Sequence, residues 1–401
     1  MLKKSWIYPV YIIIFTGMVS LALFSLDGSR LKNFFDLVKI ELRAFFHKEI
    51  KDSDKSLASN QPYDRIIDTS LLPLHLRYVA NLKSAGMLGD GGSIYVDQTG
   101  ILVMDRLGQF WNIDFDGDVK KLNIKTINNH EIFTKEFPEK KIHSGVLKAT
   151  SFIYDENLHK LYVAHNKYLG SNRHKLLISV ADFNFSARDT VDQVTWNTLF
   201  ESDVFFGQQE ATHGSGGKIL LQEDEIYLTV GFPIPDDVVG KKAILDTGLD
   251  KTPAQNPTSQ LGKVLRINRK TGAVDLFTLG HRNPQGLALT NNGRLLLTEH
   301  GPQGGDELNF LSSGGNYGWP IKTFGTRYGT YDYDWPEYAN QNIKKRFKEP
   351  LFAFVPSIGI SPVIQTKSFS SRWKNDILVG ALKAQSLFRL HFSENQNIVY
   401  S

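Results

Sequence analysis

From about residue 75 onward the chain alternates short apolar runs with polar turns, and the same unit recurs. GGSIYVDQTGILVMDRLGQFWNIDFDG (91–117) sets an apolar strand, an Asp/Gly turn, a second strand, a second turn and a third strand in succession. Related units are FIYDENLHKLYVAHNKY (152–168) with LLISVADFN (176–184), and GGKILLQEDEIYLTVG (216–231) with GKVLRINRKTG (262–272). GLALTNNGRLLLTEHG (286–301) and WKNDILVGALKAQSLFRLHFSE (373–394) complete the series. Asn, Asp and Gly at the turns supply the positive-φ conformations that hairpins need. A repeat of roughly 45–70 residues carrying about four strands predicts a β-propeller, whereas a β-sandwich has the same strand chemistry but no reason to repeat.

The amino-terminal part is patterned differently. Trp6–Leu26 is uncharged throughout and, at about 20 residues, matches the thickness of a bilayer core. Its exit through Ala22-Leu23-Phe24-Ser25-Leu26 into Asp27-Gly28 lacks a good cleavage site, which favours an uncleaved anchor over a removed signal peptide. Lys3 and Lys4 precede the span, and Arg30, Lys32 and Lys39 follow it, so the charge bias leaves its orientation open. Residues 31–50 place Phe34, Leu37, Val38, Leu42, Phe45 and Phe46 at helical spacing, interrupted by Glu41, and predict an amphipathic helix beside the membrane. Residues 51–62 read as a polar linker. The expected organisation is therefore a membrane anchor over 1–30, a helix and linker over 31–74, and a propeller over 75–401.

Composition sharpens this picture. Aromatic residues make up 12 % of the chain and Gly accounts for 33 of 401 residues, a balance that suits strands and turns. The formal net charge is +4, from 46 basic and 42 acidic residues, and no concentrated basic face points to nucleic acid. Cysteine is absent, which removes disulfides, thiolate metal sites and cysteine nucleophiles.

Residues 279–320, LGHRNPQGLALTNNGRLLLTEHGPQGGDELNFLSSGGNYGWP, carry the chemistry. The pieces LGHRNPQGLA, TEHGP, GDELN and GGNYGWP, with weaker echoes in GKVLRIN and DILVGALK, closely resemble the soluble quinoprotein glucose dehydrogenase, aldose sugar dehydrogenase and sorbosone dehydrogenase family. The resemblance covers about residues 75–395 and implies an all-β, six-bladed propeller that binds pyrroloquinoline quinone and Ca²⁺. It implies that Arg282 and Asn283 contact the quinone, that Lys383 pairs with one of its carboxylates, and that the carbonyls of Gly301 and Pro302 bind the calcium. An anionic tricarboxylate needs fixed cations and amide donors, and Ca²⁺ takes oxygen ligands, so these residue types suit those roles. The plain alternatives are a surface-turn Arg and Lys, and an ordinary turn at Gly301-Pro302. Asp306 and Glu307 read as supports of a rigid loop rather than as an acid–base pair.

Two regions depart from the family pattern, the expected base with its partner and the carboxyl end. His213 stands where the family has its catalytic base, but one residue further from Lys218 than the family His is from its Arg, and a one-residue slip can turn a strand side chain to the opposite face. The family's Asp after the next Gly is replaced by Phe232, following Gly231. The family also continues beyond the GALK strand with cofactor-binding arginines, whereas this sequence stops at Ser401. The expectation is an incomplete last blade and a missing tail. Two functions follow. The first is a membrane-anchored dehydrogenase on the extracytoplasmic side, where the family works, oxidising an aldose or related alcohol and passing electrons to an unidentified acceptor. The second is a non-catalytic propeller that binds a ligand or protein on the same scaffold.

Overall fold

The structure is a computed structural model that describes residues 63–68, 73–78, 92–124, 130–139, 148–185, 194–206, 214–232, 252–326, 347–368, 370–392 and 398–400. The chain divides into two compact units, Met1–Thr69 with Pro73–Leu82, and Ser70–Leu72 with Lys83–Ser401. In the first unit, β1 (Tyr63–Asp68) and β2 (Pro73–Tyr78) form an antiparallel hairpin in continuous register. Strands thus begin earlier than residue 75. Among the described residues no helix is long and apolar enough to cross a membrane. The Trp6–Leu26 segment and the predicted helix over 31–50 lie outside the described residues.

The described residues of the second unit form five sheets in chain order, antiparallel except for one short parallel pair, the blades of a propeller. Blade one holds β3 (Gly92–Val96), β4 (Ile101–Asp105), β5 (Phe110–Ile113) and β6 (Val119–Lys121). A short helix of about two turns, α1 (His130–Glu136), follows. Blade two holds β7 (Ala149–Asp155), β8 (Lys160–Tyr168), β9 (Arg173–Asp182), β10 (Asn197–Glu201) and the short β11 (Phe205–Phe206). Blade three holds β12 (Gly216–Gln222), β13 (Glu225–Val230), β14 (Lys263–Asn268) and β15 (Val274–Leu279). In blade four, β16 (Asn283–Leu289), β17 (Leu295–His300) and β18 (Asp306–Leu311) are followed by β19 (Gly315–Asn316), which returns to pair in parallel with β15. β20 (Phe352–Phe354) then completes blade four. Blade five holds β21 (Ile360–Gln365), β22 (Ile377–Ala381), β23 (Ser386–Phe392) and β24 (Ile398–Tyr400). Five blades, rather than the six that the resemblance implied, are present among the described residues.

The core lies between blades. One apolar cluster joins Leu102, Met104 and Phe110 of blade one to Phe152, Leu161 and Val163 of blade two. Equivalent clusters fill the spaces between blades two and three, three and four, and four and five. This explains the sequence texture. The middle strand β17 is buried on both faces, from Leu295 through Glu299, and reads as a continuous apolar run rather than an alternation. The turns use the predicted Asp chemistry: Asp105 Oδ1 accepts from Leu107 and Gln109 N–H at 2.9 and 2.8 Å, and Asp114 Oδ1 accepts from Gly117 and Asp118 at 2.8 and 2.9 Å. Each is a side chain closing its own turn.

The first strands of the blades, β3, β7, β12, β16 and β21, neighbour one another in that order. They run in the same sense, so the residues that precede them gather at one end of the propeller. The turns joining second to third strands gather there too.

Candidate functional site

Arg282 sits immediately before β16, opposite the end of β17, where Asn283 faces His300 and Pro284 faces Glu299 across the ladder. Its backbone is fixed on both sides. The Arg282 N–H donates to Glu299 Oε2 at 2.9 Å, and its carbonyl accepts from Phe232 N–H at 2.6 Å. The guanidinium Nη1 donates to the carbonyls of His300 at 3.2 Å and Gly301 at 2.8 Å. Its carbon lies 5.4 Å from the centre of the Trp319 ring, within the range of cation–π attraction.

Glu299 anchors a buried chain of polar groups. Its Oε1 lies 3.1 Å from His281 Nδ1 and accepts from Asn309 Nδ2 at 3.4 Å. His281, fully buried, meets Thr278 Oγ1 through Nε2 at 2.9 Å and stacks on Tyr317 at 4.8 Å. Trp319 is positioned from another direction: Gln255 Nε2 donates to the Trp319 carbonyl at 2.6 Å, and Asn316 Nδ2 donates to Gln255 Oε1 at 2.7 Å.

Asp306 is the hub between blades four and five. Buried to 1 % exposure, its carboxylate accepts from Gly301 N–H at 3.2 Å and Ser357 Oγ at 2.6 Å. It also accepts from the N–H groups of Ile358, Gly359 and Ile360 at 3.1, 2.8 and 2.9 Å. Five donors saturate the carboxylate, so Asp306 is a support and not a proton carrier, as the sequence suggested. Gly359 in turn backs directly onto Lys383, where a Cβ would collide with that residue's backbone nitrogen. Arg282, Gly301, Asp306, Gly359 and Lys383 are thus linked contact by contact along one end of two blades.

Glu307, the next residue, is buried, and loss of solvent together with the charge of Glu299 pushes its carboxyl up to about 8. Asn309 Nδ2 donates to Glu307 Oε2 at 3.1 Å. Lys322, 3 % exposed, reaches Glu349 Oε1 at 2.5 Å. Burial, with Arg282 nearby, holds His300 below its ordinary value. A small cavity with room for about one water molecule opens among Arg282, Glu299, His300, Gly301, Trp319 and Lys322.

The residues expected from sequence divide as follows. Arg282, Asn283, Gly301, Pro302 and Lys383 fall at the same end of adjoining blades. Asn283 is half-buried, with its Oδ1 accepting from Gln285 Nε2 at 2.6 Å. Lys383 is exposed in the turn between β22 and β23. His213 lies outside the described residues. Phe232 is buried at 4 % exposure and contributes only its backbone N–H to Arg282. Glu299, Gln255 and Trp319 were not singled out from sequence, although Glu299 lies inside TEHGP and Trp319 inside GGNYGWP.

The Glucose / Sorbosone dehydrogenase family model matches residues 93–401. The chain belongs to this family. A stretch of 221 residues is 34 % identical to an uncharacterised protein of Synechocystis sp., covering 51 % of this chain and 50 % of that protein. Quinoprotein glucose dehydrogenase B of Acinetobacter calcoaceticus is 38 % identical over 129 residues, 27 % of this chain and 26 % of that one. Aldose sugar dehydrogenase YliI of Escherichia coli is 34 % identical over 149 residues, 32 % and 39 % of the two chains. The chain spans about half, or less, of the length of these curated relatives. Among solved structures, a glucose dehydrogenase superposes with a TM-score of 0.60 at 19 % identity, over 78 % of this chain and 86 % of that one. The PQQ-bound aldose sugar dehydrogenase of Streptomyces coelicolor gives 0.51 at 17 % identity, over 85 % and 86 %. At these identities the superpositions establish the shared fold.

The resemblance implied two groups for this family member. Arg282, Asn283 and Lys383 present two cations and an amide at one end of the propeller, a donor set that fits an anionic quinone. The Gly301 and Pro302 carbonyls are oxygen donors of the kind that Ca²⁺ takes. The Gly301 carbonyl also accepts from the Arg282 guanidinium, and the Asp306 carboxylate accepts from five of the protein's own donors. A calcium ion takes six to eight oxygens, of which these two carbonyls would supply a part.

Proposed function

We propose that this glucose/sorbosone dehydrogenase family member is a pyrroloquinoline quinone-dependent dehydrogenase of aldose sugars or related alcohols. The observation that carries the reading is Arg282, fixed by Glu299, Phe232 and the His300–Gly301 carbonyls and linked through Asp306 to the turn bearing Lys383. When bound, the quinone supplies the two-electron acceptor for the hydride that leaves the sugar carbon. The chain's own residues do the rest. Arg282 holds a positive charge whose position is set before any ligand arrives, so little reorganisation accompanies binding. Asn283 offers an amide beside it, and Lys383 a second cation across the blade boundary. Trp319 backs the guanidinium with a ring face that excludes water from one side. His213 takes the hydroxyl proton in this reading, leaving a lactone as product. Phe232 supplies no carboxylate to orient that ring, so its orientation falls to other groups.

The anchor and its placement are part of the same proposal. Trp6–Leu26 fixes the chain to the membrane, supported by its length and lack of charge, and the propeller works on the extracytoplasmic side. A high-salt wash of membranes from cells expressing the full chain should leave the protein in the pellet.

The test of activity is reconstitution. Quinone should raise the melting temperature by mass action, and a dye-linked assay should then show aldose oxidation. Arg282→Ala should lose most of the shift, and His213→Ala should keep the shift and lose turnover. Absence of any shift with quinone overturns the cofactor assignment. A shift without oxidation of any aldose supports the non-catalytic scaffold, which the buried Phe232 already favours.

A further inference from the structure

His281 precedes Arg282 in the motif LGHRNPQGLA, and its fully buried ring touches three separate elements. Nδ1 lies 3.1 Å from Glu299 Oε1 on β17, and Nε2 lies 2.9 Å from Thr278 Oγ1 on β15. One face of the ring stacks on Tyr317 at 4.8 Å. An ionised carboxylate only accepts, so Nδ1 carries the hydrogen and donates it to Glu299. Carboxylate, imidazole and hydroxyl in line are also the parts of a hydrolytic triad. Here Thr278 is as fully buried as the ring, and a hydroxyl that no substrate can reach is not a nucleophile. The three groups act instead on what surrounds them.

Both flanks of Arg282 pass through this ring. On one side, Glu299 takes the His281 hydrogen on Oε1 and the Arg282 N–H on Oε2. The imidazole therefore sets the rotation of the carboxylate that holds the Arg282 backbone. On the other side, Tyr317 lies two residues from Trp319, the ring that faces the Arg282 guanidinium. That segment is laced to the chain just before His281: Tyr317 N–H donates to the Leu279 carbonyl and Trp319 N–H to the Gly280 carbonyl, both at 2.9 Å. Gly280, at φ +78°, permits the approach, because a Cβ there would collide with the Gly318 nitrogen. The far end of Tyr317 is held as well, its hydroxyl donating to the Phe310 carbonyl at 2.6 Å.

We infer that His281 is a positioning residue for the quinone site, acting through Glu299 on Arg282. Its bearing on the quinone rests on the dehydrogenase reading above, whereas its hold on Arg282 does not.

The test is pyrroloquinoline quinone binding to the full chain by calorimetry, with the melting temperature recorded in its absence. The amide nitrogen of Asn stands about where His carries Nδ1, and that of Gln about where His carries Nε2. His281→Asn therefore keeps the donor to Glu299 and His281→Gln gives it up, while both lose the stacked ring. His281→Gln should weaken quinone binding about tenfold and His281→Asn less than about threefold, although the two variants melt at similar temperatures. Glu299→Gln should weaken binding by itself, and adding His281→Gln to it should cost no more than about a further twofold. Equal losses in the Asn and Gln variants, or additive losses in the double variant, mark general packing and overturn the inference. Wild-type affinity in His281→Gln overturns it too. If quinone fails to bind the wild type, the dehydrogenase reading falls and the Arg282 amide decides the inference. Its hydrogen should exchange with deuterium about tenfold faster in His281→Gln than in the wild type or His281→Asn. Equal exchange in all three overturns the hold of His281 on Arg282.

Discussion

Lys263 and Lys148 are both pushed down to about 7 by burial, yet their surroundings differ. Lys263, at the start of β14, is wholly buried, and its ammonium donates to the carbonyls of Pro253 at 2.6 Å, Ala254 at 3.1 Å and Leu261 at 2.7 Å. Three N–H bonds meet three acceptors, so the charge is committed to holding the loop that carries Gln255 against Trp319. Lys148 is half-buried beside Arg106, whose charge opposes its own. Equal acidity thus marks a strut satisfied by three carbonyls in one place and burial beside a like charge in the other. What separates them is the neighbouring charge, Asp203 for Lys263 and Arg106 for Lys148.

The largest effect expected is at the best-satisfied group. Asp306→Ala removes an acceptor from five buried donors and should lower stability by about 4 kcal/mol, measured by denaturant unfolding. A change under about 1 kcal/mol would mean that water readily replaces the carboxylate. Lys263→Met comes next. It strands three carbonyls and should cost about 2 kcal/mol, with quinone binding weakened because the Gln255–Trp319 contact loosens. Lys148→Met should be neutral or stabilising by about 1 kcal/mol. If it destabilises as much as Lys263→Met, the contrast between the two lysines fails.

The contrast also has a pH signature. A lysine lowered in the folded state binds fewer protons there than in the unfolded chain between about pH 7 and its ordinary value. Its penalty is therefore full below about pH 7 and fades as pH rises toward 10.5. The stability gap between Lys148→Met and wild type should be widest in acid and close in base. Glu307 runs the opposite way. Its carboxyl is raised to about 8, so the folded state holds its proton between about pH 4.5 and 8, and its contribution to stability is lost as pH climbs through that window. Glu307→Gln, which mimics the protonated acid, should flatten that slope while changing stability at pH 5 by less than about 0.5 kcal/mol, the smallest effect of the set.

Much of the fold was legible because its signals are local. The five repeat units read from the pattern coincide with the five blades, and the Asp residues expected to close turns do so at Asp105, Asp114 and Asp155. The sixth blade came from the resemblance and not from the pattern, and is absent among the described residues. Arg282, Asn283, Gly301, Pro302 and Lys383 were legible through their motifs, and they do share one end of the propeller. The supporting contacts were not legible. Gln255 meets Trp319 across a long sequence separation, and Lys263 carries its function in three backbone carbonyls that no side-chain pattern announces. That the Gly301 carbonyl also accepts from Arg282 depends on how β16 and β17 align. Such partnerships are fixed by register and blade packing, which a single sequence encodes only diffusely.

Asp306 has a kinetic consequence as well. The segment 357–359 is irregular backbone ahead of β21, the kind of stretch whose amide hydrogens ordinarily exchange with solvent within the fast fraction of a protein. Here the amides of Ile358 and Gly359 are clasped by a carboxylate rooted in the adjacent sheet. They can exchange only when that clasp opens, and opening it separates blades four and five. These loop amides should therefore exchange with deuterium as slowly as the central strands on either side, so that the two blades come apart as one cooperative foldon.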